Sequence, residues 1–234
     1  MGRTVGERCA FLLSLISICS ILLGFRVLVL IVWEFRNYFP PNFQADFLFG
    51  REDYFFGWYS VSFYIHIVAS PVALVLGFLL IVSQRFRMLQ SMHRRMGKIQ
   101  AVLVVLLVAP SGLMMATRAM SGLIAGVGLA LLAIATAGTM VVAVYYAQRK
   151  KIAIHRVWAT RCFILLCSPL LLRLANGAET VLGVDSDLTY QLNAWLSWIV
   201  PLIGYECVRW KRSTTIVALQ RFIFTSNEGV VHDG

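Results

Sequence analysis

Two stretches decide how the chain is organised: QRFRMLQSMHRRMGK, Gln84–Lys98, and QRKKIAIHRVW, Gln148–Trp158. Five of the fifteen residues in the first stretch are Arg or Lys, and none is acidic. The second opens on the same Gln-Arg pair and also reaches His-Arg at the head of an apolar run. Long apolar segments flank both. Cationic connectors between oily segments are the mark of a chain threaded through a bilayer, because positive charge translocates poorly.

Composition agrees. Of 234 residues, 59% are hydrophobic and 14% charged, against roughly one quarter charged in a soluble domain. Mean hydropathy is +0.76. Several apolar runs reach the roughly 20 residues that a helix needs to cross the hydrocarbon core. The net charge of +10 sits in short connectors rather than along a binding stripe, so no nucleic-acid partner is expected. The five cysteines, Cys9, Cys19, Cys162, Cys167 and Cys207, lie in or beside apolar segments without metal-ligand spacing, and are expected to pack as small apolar groups.

The expected fold class is all-α, a polytopic transmembrane bundle of six spans at about 9–34, 58–83, 99–118, 123–147, 157–176 and 188–208. Residues 1–212 would form the bundle and 213–234 a cytoplasmic tail. The first apolar segment is too long for a typical signal-peptide core and has no small-residue cleavage site, so it is kept as a helix. The connectors at 84–98 and 148–157 hold nine basic residues and no acidic one. They belong on the cytoplasmic side of the inner membrane, which places both termini there too, N-in and C-in. Trp33, Tyr54, Phe55, Trp58 and Tyr59 would form the outer aromatic belt, with Trp158 and Trp210 in the inner one.

The two stretches join similar hairpins. In each, a helix descends to Gln-Arg, and the next rises from His-Arg through a proline, Pro110 or Pro169, to an arginine, Arg118 or Arg173. Parallel copies of a hairpin tend to pack about a pseudo-twofold axis along the membrane normal. Such an axis would set His93 and His155 at one depth.

The segments YIHIVASPVALVLGFLLIVSQRFR (64–87), MHRRMGKIQAVLVVLLVAPSGLMMA (92–116) and HRVWATRCFILLCSPLLLRLA (155–175) resemble the uncharacterised membrane-protein family known as domain of unknown function 2306. The resemblance runs from about Trp58 to Arg209. It implies a polytopic membrane protein and supplies no activity. A more distant similarity is to six-helix b-type cytochromes, in which paired histidines on neighbouring helices ligate two haems. Here the fourth expected helix has no histidine, so at most the inner haem of that pattern could persist.

Three sets of side chains carry the candidate chemistry. His93 and His155 are candidate axial ligands of a haem b iron, since neutral imidazole binds iron well, with His66 as a secondary candidate. Arg94, Arg95 and Arg156 could meet haem propionates in fork geometry, as could Lys98 by charge. The plainer reading puts both histidines at headgroup level, where polar rings and snorkelling cations are ordinary. The second set is Arg26, His66, Arg118 and Arg173. His66 lies about nine residues, or roughly 13 Å, down its helix. An ionisable group inside a membrane costs about 2.5–3.5 kcal/mol on insertion scales, so it usually faces a cavity or a partner. This set would form an outward pocket for a carboxylate, quinone oxygen or lipid phosphate. Its plainer reading has Arg26 and Arg173 snorkelling, or pairing with Glu34 and Glu179. The third set is Pro71, Pro110, Pro169 and Pro201, each a hinge or simply a membrane-helix proline.

No phosphate-binding glycine loop, His-Glu-x-x-His or Gly-x-Ser-x-Gly occurs, so no catalytic residue is assigned and whether the protein is an enzyme stays open. Two functions remain from the residues: a haem or quinone-linked redox protein, or a transporter or binding protein for a small anionic or lipidic molecule. Expected partners are membrane lipids, with anionic headgroups at the basic connectors contributing about 1 kcal/mol per basic residue. A homo-oligomer is compatible with this reading.

Overall fold

The computed structural model describes residues 22, 25–26, 28–44, 48–83, 87–184 and 186–230, without side chains at 87–89 and 212–230. Most of the expected first helix, with Cys9 and Cys19, lies outside the described residues; residues 28–34 are helical. They lead through a 3-10 turn at Phe35–Asn37 into an aromatic loop with a second such turn at Glu52–Tyr54. The rest is helix: α1 Gly57–Val82, α2 Arg87–Val102, a π-helical segment Leu103–Val108, α3 Ala109–Ala116, α4 Leu123–Gln148, α5 Ile152–Leu182 and α6 Asp187–Val230. Among the described residues there is no strand, only an isolated bridge between Tyr38 and Pro41.

α2, the π-helical segment and α3 form one continuous rod. The elements therefore alternate in direction, and the bundle has two ends. The upper end carries Arg51, Arg118 and Gly183, and the lower end carries the two basic stretches. Four rods are long and apolar enough to cross a membrane: Gly57–Val82, Gln90–Ala116, Leu123–Gln148 and Ile152–Leu182. Their locations match the second to fifth expected spans. α6 is not in that set: its membrane-length part mixes Asn193, Trp195, Ser197 and Trp198 with its aliphatic residues.

Helix ends differ from expectation in one consistent way. The third helix starts at Arg87 rather than about 99, the fifth runs over 152–182 rather than 157–176, and the sixth continues to Val230 rather than 208. Hydropathy marks where oil ends. Arg, Lys, Gln and Met are all good helix formers, so the backbone hydrogen bonding carries on past that boundary. Most of QRFRMLQSMHRRMGK is thus helix rather than loop. His93 lies inside α2 and His155 inside the first turn of α5.

The core is built from small side chains. Ala69 and Ala73 of α1 meet Val104 and Val108, Met140 of α4, and Cys162 and Leu166 of α5. In lipid there is little hydrophobic drive between helices, so close approach and polar contacts have to hold the bundle. Gly126 and Gly128 of α4 show this directly. A Cβ at Gly126 would stand 2.7 Å from the Ala116 carbonyl oxygen, and one at Gly128 would stand 2.9 Å from Trp195 Nε1. Gly122 forms the turn before α4 with φ +85°.

Polar links add to this packing. Gln100 Nε2 donates to the Ala73 carbonyl (2.9 Å), Trp195 Nε1 to the Ile124 carbonyl (3.1 Å), and Ser168 and Ser197 share a hydrogen bond (2.9 Å). At the lower end, Arg161 Nε contacts Glu206 Oε1 at 2.6 Å and lies 4.3 Å over the Trp158 ring. Arg161 is therefore paired across two helices. Arg209 Nε pairs with the same carboxylate at 3.2 Å.

Gly126→Ala should force α3 and α4 apart and destabilise the protein by about 1–3 kcal/mol. Thermal unfolding in detergent checks this, with Gly138→Ala, where a Cβ meets nothing within 4 Å, expected to unfold like wild type.

Candidate ligand cavity

One large cavity, ≈ 570 Å³, opens among the helices. This lies within the roughly 300–1,000 Å³ range of ligand sites. Its upper part is lined by Arg51, Arg118, Arg173, Asn176, Tyr38 and Tyr190, and its walls deeper in the bundle by Leu74, Val108, Leu132, Leu165 and Leu166. No Asp or Glu is among the described lining residues. Leu28, Ile31 and Phe35 close one side.

Arg51 organises the mouth. It is 3% exposed, and its Nη1 donates to Tyr59 Oη (2.8 Å), the Arg118 carbonyl (3.0 Å) and Tyr54 Oη (3.3 Å). These bonds tie the loop before α1 to the end of α3. Beside them Tyr38, Leu48 and Phe63 form a buried cluster, with Phe55 stacked edge-on against Phe63. Tyr64 Oη donates to the Tyr38 carbonyl (3.0 Å). The Arg118 guanidinium lies 5.2 Å over the Tyr54 ring.

Among the described residues, no hydrogen bond or ion pair engages the Arg173 guanidinium. The pairings suggested by sequence are taken by other groups: Glu179 accepts from Asn193 Nδ2 (2.8 Å), and Glu34 from Asn37 Nδ2 (2.7 Å). Asn193 also donates to Asn176 Oδ1 (3.0 Å). The cavity therefore holds two guanidinium groups, Arg118 and Arg173, with no carboxylate at salt-bridge distance among the described residues.

His66 projects from α1 into the same cavity. Gly112 makes room for it, since a Cβ there would stand 3.1 Å from His66 Cε1. Ser111 Oγ donates to the Leu107 and Val108 carbonyls, next to the π-helical turn. Its one proton is committed there, so at its 3.0 Å contact with His66 it accepts, and Nδ1 carries the imidazole proton. Nε2 is then the unprotonated nitrogen, with no partner among the described residues. Of the four residues the sequence grouped into a pocket, His66, Arg118 and Arg173 line one cavity. Arg26 is exposed and not among the described lining residues. Arg51, which the sequence reading left as an ordinary loop charge, lines it too.

The second candidate set lies at the lower end. Gln100 and Phe163 both flank Gly77 of α1. His93 lies seven residues before Gln100, and His155 eight before Phe163, so both sit about two turns below that contact. Ser83 Oγ donates to the Leu80 carbonyl (2.6 Å), so it accepts from His93 Nδ1 (2.7 Å). His155 Nδ1 donates to the Ala143 carbonyl (2.9 Å). Each histidine clasps its own hairpin, and each presents Nε2 as a lone pair. Arg94, Arg95 and Arg156 are exposed around them. Among the described residues, no group of three His, Cys, Asp or Glu is disposed to hold a metal ion. Cys162, Cys167 and Cys207 are free thiols.

Residues 63–208 match the family model described as "Predicted membrane protein (DUF2306)", and the chain belongs to that family. No curated protein and no solved structure matches it. The class is thus an all-helical membrane protein, and the family match carries no activity.

Arg51→Met should cost about 2–3 kcal/mol, the usual worth of hydrogen bonds to a charged group. Hydrogen exchange across residues 48–60 should speed up while the lower end stays protected; equal exchange in both places would count against the mouth being tied through Arg51.

Proposed function

We propose that the protein binds an amphipathic anion, its acidic headgroup among Arg118, Arg173 and His66 and its chain along the apolar wall of the cavity. One observation carries this reading: the Arg118 and Arg173 guanidiniums, without carboxylate partners among the described residues, line a cavity whose depth is apolar. Intramembrane cations are costly unless something answers them, and a ligand carboxylate or phosphate would do so through charge-assisted bonds. The arrangement suits a transporter or a binding protein equally, because both need the same receptor. We place it in a six-span bundle in the inner membrane, the basic connectors and both termini cytoplasmic, so that the cavity opens outward. The cationic connectors, facing anionic headgroups, support that orientation.

The test is direct. Dodecyl phosphate or dodecanoate, added to protein in a neutral maltoside detergent, should raise the unfolding temperature. Each of Arg118→Gln and Arg173→Gln should weaken binding at least ~10-fold, as loss of one charge-assisted bond implies. No shift from either anion would sink the reading.

A second reading rests on the lower histidines. His93 and His155 each hold Nδ1–H on an acceptor, which is how metal-bound histidines are usually oriented. Their Nε2 atoms would hold a haem b iron, and Arg94, Arg95 and Arg156 would meet its propionates. Haem would supply one-electron transfer there, in keeping with a quinone-linked redox role. Purified protein reconstituted with haem should then show a Soret band that His93→Ala removes. A colourless product ends this reading without touching the first.

A further inference from the structure

The polar groups lining the cavity discriminate between anions, not only between anions and neutral molecules. Arg173 and Arg118 offer N–H donors alone. His66 offers the opposite: its Nδ1–H is held by Ser111, itself committed to the Leu107 and Val108 carbonyls, and Nε2 is an acceptor. A fully ionised headgroup facing Nε2 would set lone pair against lone pair. The headgroup that satisfies all three side chains is an anion that brings a proton with it.

Carboxylates and phosphodiesters are ionised without a spare proton near neutral pH. Phosphate monoesters are different: their second ionisation falls near pH 6, so one oxygen readily keeps or shares a proton. Resting on the amphipathic-anion reading above, we infer that the cavity selects a long-chain phosphate monoester, its P–O–H proton bridging to His66 Nε2 and its charged oxygens meeting Arg173 and Arg118. The same proton closes the contact from whichever side it is held. The chain takes the apolar walls at Leu74, Leu132, Leu165 and Leu166.

Four probes with the full-length protein in maltoside test this: dodecyl phosphate, its methyl diester, dodecanoate and inorganic phosphate. Dodecyl phosphate should bind at least ~10-fold more tightly than the diester or the carboxylate, a difference of one well-placed hydrogen bond to a charged partner. Inorganic phosphate should bind more weakly still, since it leaves the apolar wall unfilled. His66→Leu should erase the monoester-over-diester preference. Equal affinity of wild type for monoester and diester, or for monoester and dodecanoate, would overturn the inference while the amphipathic-anion reading stands; equal affinity for alkyl and inorganic phosphate would overturn both, because the chain would then add nothing. If none of the alkyl anions binds, that underlying reading fails instead. The wild-type comparison decides the matter even where the His66 variant does not fold.

Discussion

Inside a bilayer a polar group finds its partner within the protein or goes without, because the surrounding hydrocarbon offers none. That constraint organises this bundle. Ser83, Ser111, Thr136 and Thr139 turn their hydroxyls back onto carbonyls of their own helices. Gln100 and Trp195 reach a neighbouring helix instead. Each histidine in a described helix fixes Nδ1 on such an acceptor. Among the described residues, Ser70 Oγ, Gln100 Oε1 and Trp198 Nε1 are buried without a hydrogen-bond partner, and the ionisable loose ends are the Arg118 and Arg173 guanidiniums and the Nε2 atoms of His66, His93 and His155.

Those ends fall at opposite ends of the bundle and suit different chemistry. At the upper end, donors and one acceptor share a cavity large enough for a ligand. At the lower end, two acceptors face a cationic surface, and each also clasps one hairpin to the helix before it. The clasp alone gives His93 and His155 a structural reason to be where they are. No comparable structural reason accounts for Arg173, which lacks a protein partner among the described residues. The binding reading is for that reason placed on the cavity.

Much of the architecture was legible beforehand. α1 at Gly57–Val82 and α4 at Leu123–Gln148 lie within a residue of their expected bounds, because oily runs ended by Phe-Gly and Gln-Arg leave little choice. The lower connectors were misread as loops. Basic residues end a hydrophobic run without ending a helix, so charge located the oil boundary and missed the helix boundary. Of the site, His66, Arg118 and Arg173 stood out as ionisable groups in apolar sequence. Arg51 did not, because it lies in a loop rich in polar and aromatic residues, where an arginine looks ordinary. Its role comes from Tyr59, eight residues on, and from a carbonyl 67 residues away; nothing in the local sequence marks either.

By itself, then, the sequence determined an all-helical membrane chain, the location of its central apolar rods and which side chains would be costly in lipid, since each follows from composition along a single segment. Only the tertiary structure decided which costly groups meet. It put Arg51, Arg118, Arg173 and His66 around one cavity, left Arg26 outside it, and gave Glu34 and Glu179 to asparagines rather than arginines. Those outcomes depend on how helices rotate and how closely they approach. Contacts such as Gly126 against Ala116 and Gly112 against His66 set that geometry, and they join residues too far apart in the chain for any local pattern to register.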